Sequence, residues 1–169
     1  MLRVNLGQLD REGSVAVEAS LPAVDGLWDD TDLHWHADVV VRLTATLAGT
    51  GEIVARGSLQ GRLSQECRRC LKPLDIPYEQ DVVLVFVSDG SEVGAEDGAF
   101  PFEADQAELD LGEAIREEVL LAVNPFVVCD PECKGLCSSC GANLNLSPCS
   151  CSKSENDPRW DVLRGLKSE

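Results

Sequence analysis

Eight cysteines, spaced Cys67-x2-Cys70, Cys129-x3-Cys133-x3-Cys137-x2-Cys140 and Cys149-x-Cys151, constrain this 169-residue chain more than any other feature. Two thiolates two residues apart can turn toward one ion about 2.3 Å away, and Gly141 directly after Cys140 supplies the permissive backbone such a turn needs. Eight thiolates can fill two closed tetrahedral sites, whereas a catalytic zinc keeps an open position, so one or two structural zinc ions are expected. Iron–sulfur clusters and redox-active thiols draw on the same residues and are the alternatives. Disulfides would be the reading in a secreted chain. The start MLRVNLGQLDREG has no apolar h-region, and no apolar run approaches the roughly 20 residues of a membrane span. A cytoplasmic protein with metal thiolates is therefore expected. The simplest partition joins Cys67 and Cys70 to Cys137 and Cys140, leaving Cys129, Cys133, Cys149 and Cys151 for a second ion. Alternatively the C-terminal cluster keeps its own ions and Cys67 and Cys70 stay a free pair; spacing does not choose between them.

The first half of the chain reads as strands. Trp35, Ala37, Val39, Val41, Leu43, Ala45 and Leu47 alternate with polar residues, Val40 being the lone exception, Gly49-Thr50-Gly51 offers a turn, and Ile53, Ala55, Leu59 and Leu63 resume the apolar face. Residues 34–66 thus look like one long antiparallel hairpin ending at Cys67. The run Val82–Val87 within residues 76–87 suggests a central strand covered on both faces, and Leu2–Leu6 and Val15–Leu21 are shorter candidates. Residues 88–108 carry Gly and acid without period and read as a linker. A helix over 109–123 follows, with Asp110 as cap, Glu113 completing a capping box, and Leu111, Ile115, Val119 and Ala122 as its stripe. Pro158 suits the first position of a short last helix. The fold class expected is α+β: an antiparallel sheet, open or partly closed, one amphipathic helix and a Cys-rich zinc-binding appendage. The expected domains are 1–87, a sheet carrying the C-x-x-C tip; 88–108, an acidic linker; and 109–169, the helix, zinc knuckle and last helix.

Charge narrows the partners. Fourteen Lys+Arg against 30 Asp+Glu give −16, which disfavours a nucleic-acid binder using its whole surface and suits a basic partner. The distribution is uneven. Residues 42–72 hold Arg42, Arg56, Arg62, Arg68, Arg69 and Lys72 against Glu52 and Glu66, and of these Arg62, Arg68, Arg69 and Lys72 are the candidates for phosphate contact. Residues 88–118 hold eleven acidic side chains against Arg116 alone, a surface for a basic protein. Phe100 and Phe102 inside this stretch are expected to tuck onto the sheet.

Several strings carry a resemblance: Cys67-Arg68-Arg69-Cys70 at a hairpin end, the helix running into Asn124-Pro125, CDPECKGLCSSCGANLN from Cys129 to Asn145, and Asp157-Pro158-Arg159. Together they resemble the YceD family of bacteria and plastids, named for large ribosomal RNA subunit accumulation. The resemblance implies a non-enzymatic ribosome-biogenesis factor supporting synthesis, processing or stability of 23S rRNA. Its implied partners are a large-subunit ribosomal precursor, through a basic ribosomal protein or the rRNA, with no membrane and no small-molecule substrate. No catalytic residue comes with it.

Other constellations are weaker. His34-x-His36-x-Asp38 places three metal-ligand types on one strand face, which an exposed polar face explains equally. No P-loop, dinucleotide fingerprint or hydrolase elbow is present. The competing reading is a thiol- or metal-dependent enzyme, which would need an open metal position or an exposed cysteine of low pKa.

Overall fold

The computed structural model describes residues 2–48, 51–88 and 98–151 and divides the chain into two compact units. Unit 1 comprises Met1–Gln65 and Pro73–Pro125; unit 2 comprises Glu66–Lys72 and Phe126–Glu169. This division corrects the expected boundaries. The helix buries its apolar stripe in the core of the sheet, so it belongs with the strands, while the C-x-x-C tip belongs with the other cysteines.

Unit 1 begins with β1 (Arg3–Asn5), which pairs antiparallel with β8 (Glu108–Asp110). Between them in sequence come α1 (Leu6–Glu12), β2 (Ser14–Leu21), a 3₁₀ turn (Gly26–Trp28), β3 (His34–Trp35), β4 (Val39–Leu47), β5 (Ile53–Glu66), β6 (Pro73–Ser88) and β7 (Phe100–Phe102). The larger sheet runs β2-β4-β5-β6-β7, with β3 also pairing β5. It is open, so the partly closed form is corrected, and it is mixed, because β7 runs parallel to β6 through Phe86↔Phe100. β2, β4 and β5 pair antiparallel.

The expected hairpin over 34–66 is real but interrupted. From Trp35↔Leu63 to Val40↔Gln60, five steps on one strand face three on the other. The two extra residues form a bulge that turns Ala37 out to solvent while Trp35 and Val39 stay buried. Leu47 is exposed as well. On β6, Phe86 and Val87 are both buried, as a strand covered on two faces requires, but Val83 is exposed, so the covering is confined to the end paired with β7.

α1, which the hydropathy pattern misses, is fixed by its ends. Asn5 Oδ1 accepts from the Gln8 N–H at 2.8 Å, and Gly13, at φ 73°, closes the helix by donating to Leu9 O. α2 (Gly112–Ala122) lacks the expected capping box: Leu111 occupies the cap position without a side-chain bond, and Asp110 Oδ1 accepts from the Gly112 N–H while Asp110 itself ends β8. Its stripe is as expected at Leu111, Ile115 and Val119, all fully buried, whereas Ala122 is exposed. Phe100 and Phe102 pack on the core, with the Phe86 and Phe100 rings 5.6 Å apart. The acidic stretch at 89–97, the turn at 49–50 and the last helix at Pro158 lie outside the described residues. Among the described residues, no helix is long and apolar enough to cross a membrane.

Gly57 lies opposite Leu43, and a Cβ there would sit 1.9 Å from the Arg42 carbonyl oxygen. Relief requires β4 and β5 to part, so Gly57→Ala should cost about 3 kcal/mol or more. Thermal unfolding checks this, and a variant melting with the parent would refute the register.

Candidate metal centre

Unit 2 builds the same turn twice. In the first, the Cys67 N–H donates to Lys72 O (2.9 Å) and the Leu71 N–H to Cys67 O (2.9 Å); in the second, Cys137 N–H donates to Ala142 O (2.8 Å) and Gly141 N–H to Cys137 O (2.9 Å). Each ring brings a Cys-x2-Cys pair to one side, and each needs its fifth residue in the left-handed region: Gly141 at φ 72° and, unusually, Leu71 at φ 58°. Gly135, at φ 74°, is required where its backbone crosses the first turn, since a Cβ there would meet Arg69 O at 2.9 Å.

The thiols gather as two sets of four, Cys67, Cys70, Cys129, Cys133 and Cys137, Cys140, Cys149, Cys151, with the sulfurs of each set within 4.8 Å of one another. In the first set Cys67 Sγ lies 3.9 Å from Cys133 Sγ and Cys70 Sγ 3.6 Å from Cys129 Sγ. Four thiolates at about 2.3 Å from one tetrahedral ion stand about 3.8 Å apart, so the donors fit. Both clusters could hold a metal ion.

The simplest partition read from spacing is thus corrected: Cys67 and Cys70 take Cys129 and Cys133, not Cys137 and Cys140, and they are not a free pair either. The reason is the route of the returning chain. Val127 O accepts from the Arg68 N–H (2.9 Å), and Arg69 Nη1 donates to Pro131 O (2.9 Å) and Cys133 O (3.0 Å). These bonds lay the Cys129–Cys133 loop against the first turn before Cys137 is reached, and the second set closes on Cys149 and Cys151.

The surroundings favour thiolate in selected positions. Burial opposes charge on Cys67, but the N–H groups of Cys129, Cys70 and Arg69 outweigh it and bring the thiol down to about 6. The N–H groups of Cys140 and Ser139 bring Cys137 to about 6. Burial also opposes charge on Cys133, and the Gly135 N–H and Asn145 side chain lower it nonetheless. Bonding to Cys133 and burial hold Cys129 up at about 12, and bonding to Cys140 holds Cys151 at about 12. Asn145 is the residue that sequence reasoning missed. Its Nδ2 donates to Cys133 Sγ (3.3 Å) and Asn143 Oδ1 (2.9 Å), and its Oδ1 accepts from the Lys134 N–H (2.7 Å). The Asn-x-Asn at the end of the CGANLN string was the signal for it.

The four candidate phosphate contacts differ in their surroundings. Arg62, in unit 1, forks onto Asp75, Nε to Oδ1 at 3.0 Å and Nη2 to Oδ2 at 2.8 Å, which lowers the Asp75 carboxyl. Arg69 is spent on the carbonyls above. Arg68 stands 6.0 Å from the centre of the Phe126 ring, and Lys72 lines a groove beside the first thiol set. His34, His36 and Asp38 gather no metal site among the described residues; Asp38 instead accepts from Ser20 Oγ at 3.0 Å.

Fold and site together define a class: an α+β protein with an open mixed sheet and a second unit carrying two clusters of four cysteines, each of which could hold a metal ion. The chain belongs to the family described as large ribosomal RNA subunit accumulation protein YceD, whose model matches residues 55–167. It is 28% identical to the chloroplastic YCED homolog 1 of Zea mays over 97% of this chain and 65% of that protein. It is 37% identical to the Arabidopsis thaliana homolog over 40% of this chain and 21% of that protein. An uncharacterised Mycobacterium tuberculosis protein is 26% identical over 66% of this chain and 54% of its own length. The chain therefore spans less than two thirds of the relatives it matches. No solved structure matches it.

Two outcomes are expected. The partition predicts that a Cys67→Ser/Cys129→Ser double variant, disabling one cluster, still takes up one zinc ion per chain, whereas Cys67→Ser/Cys137→Ser, disabling both, takes up none tightly. The opposite pattern in elemental analysis would restore the pairing read from spacing. For pH the sign is definite. A metal ion binds thiolates, Cys129 and Cys151 are protonated at pH 7 in the metal-free chain, and so uptake must release protons. Release should increase as pH falls toward 6, where Cys67 and Cys137 also protonate, and affinity for the ion should weaken with it. Calorimetric titration in buffers of differing ionisation enthalpy checks this; metal uptake without proton release would overturn it.

Proposed function

We propose that this chain is a non-enzymatic ribosome-biogenesis factor that supports synthesis, processing or stability of 23S rRNA by contacting the large-subunit precursor in the cytoplasm. The observation that carries this is the extent of the family match. Residues 55–167 begin in β5 and take in the whole of both thiol clusters, so the part of the chain to which the family description attaches includes the part with the most specific chemistry. Zinc is the ion the clusters suit best, since four thiolates in a tetrahedral set favour it and leave no open position for catalysis. This counts against a metal-dependent enzyme.

For rRNA we assign Arg68 and Lys72, with Phe126 beside them. Phe126 is 71% exposed and carries the Arg68 guanidinium over its ring, a combination on which a single-stranded base can stack while the cations meet phosphate. A basic ribosomal protein is the second partner, drawn by the overall acidity.

Depleting the protein should lower mature 23S rRNA relative to 16S, and the protein should co-sediment with large-subunit precursors. Arg68→Glu/Lys72→Glu should weaken that association several-fold and flatten its salt dependence, because each lost phosphate contact releases fewer counterions. Arg69→Glu should instead disturb metal retention, since its carbonyl bonds hold the Cys129–Cys133 loop. Normal 23S rRNA after depletion, with no sedimentation on precursor particles, would defeat the proposal.

A further inference from the structure

Unit 1 carries a groove of about 420 Å³ with an apolar floor of Leu33, Leu63, Leu120, Val123 and Pro125. Leu120 is 43% exposed there, and its neighbour Leu121 is 75% exposed. One lip is acidic: Asp30 and Asp32 line the groove, Asp29 precedes them, and all three are exposed. That lip is braced. Arg116 Nη1 donates to Leu27 O (2.6 Å) and Asp29 O (2.8 Å), Thr31 Oγ1 donates to Trp28 O (2.6 Å), and Asp30 is held at φ 59°. Among the described residues none of the three carboxylates is in a salt bridge, while Arg3 and Arg62 pair with acids elsewhere. Gln65, which also lines the groove, is fixed by its Nε2 donating to Asn124 O at 3.2 Å.

The occupant follows from charge. Unit 1 contains twenty-three of the 30 acidic residues and six of the 14 basic ones, a net −17. A phosphate backbone would be repelled by this lip, and a second copy would bring the same acidic unit against it. A segment with a large apolar side chain and flanking Lys or Arg satisfies both floor and lip, since the anchor desolvates in the groove while the cations meet preset carboxylates. We infer that this groove docks a basic peptide segment, of the kind that extends from a ribosomal protein, by taking an apolar anchor between Leu120 and Leu33 and its flanking cations on Asp30 and Asp32. The inference rests on the reading that the chain works on large-subunit precursors, and it gives that reading a protein-contacting surface separate from Arg68 and Lys72.

The test uses the full chain with individually purified, rRNA-free large-subunit ribosomal proteins and a 23S rRNA transcript as probes, with affinities measured at two salt concentrations. At least one basic protein should bind. Leu120→Glu should weaken it about tenfold or more, and Asp30→Asn/Asp32→Asn about fivefold with a flatter salt dependence, both with unchanged circular dichroism. Binding by none of the proteins, parental affinity in both variants, affinity for the transcript alone, or self-association abolished by Leu120→Glu would each overturn the groove assignment. Sedimentation separates the two claims. If the parent rides on precursor particles and both variants do so equally, the groove fails and the ribosomal reading stands; if the parent binds a purified protein through the groove but never meets the particles, the reverse holds.

Discussion

The gathering of cysteine thiols is the constraint on which the described part of unit 2 depends. Among its described residues the only buried apolar side chains are Cys67, Cys70 and Cys133; Phe126 and Leu146 are exposed. A segment with no aliphatic core cannot offset the conformational entropy of ordering by burial alone. What orders it is a set of backbone rings aimed at sulfur. The N–H groups of Arg69 and Cys70 point at Cys67, and those of Ser139 and Cys140 at Cys137, so the turns that gather the ligands are also what stabilise their charge.

This explains which parts were legible in the sequence. The identity of the ligands, the turn at Gly141 and the strands carrying Trp35 to Ala45 all follow from local pattern, because each depends on residues within a few positions of one another. The partition of the ligands does not, because it is decided by Val127 O meeting the Arg68 N–H and by Arg69 reaching Pro131 O and Cys133 O, across some 60 positions. α1 was hidden for a different reason. Its seven residues bury only Leu9, too little to show a period, and the signal lay in Asn5 and Gly13 as caps. The bulge that exposes Ala37 left no mark at all, since the alternation continues through it.

The two turns share one hydrogen-bond ring but differ at one residue, and the difference is informative. Gly141 adopts its left-handed conformation freely, whereas Leu71 does so at a cost of about 1 kcal/mol. Packing does not repay it, for Leu71 is 55% exposed. An exposed leucine held in such a conformation next to Lys72 presents an apolar side chain where glycine would have been the simpler choice.

Electrostatics limit how that surface can work. By sequence unit 2 holds eight basic and seven acidic residues, a net +1 before the clusters are counted. Four thiolates around one divalent ion carry −2, so two loaded clusters would turn the unit slightly negative. General attraction to RNA would then be absent, so the proposed phosphate contact would be local, at Arg68 and Lys72 beside Phe126. Unit 1 has no such conflict. At −17, with a braced acidic lip over an apolar floor, it is suited to a basic protein by charge and shape together. On the proposed reading, rRNA and a basic peptide need different surfaces, since the carboxylates that attract a cationic peptide would repel phosphates.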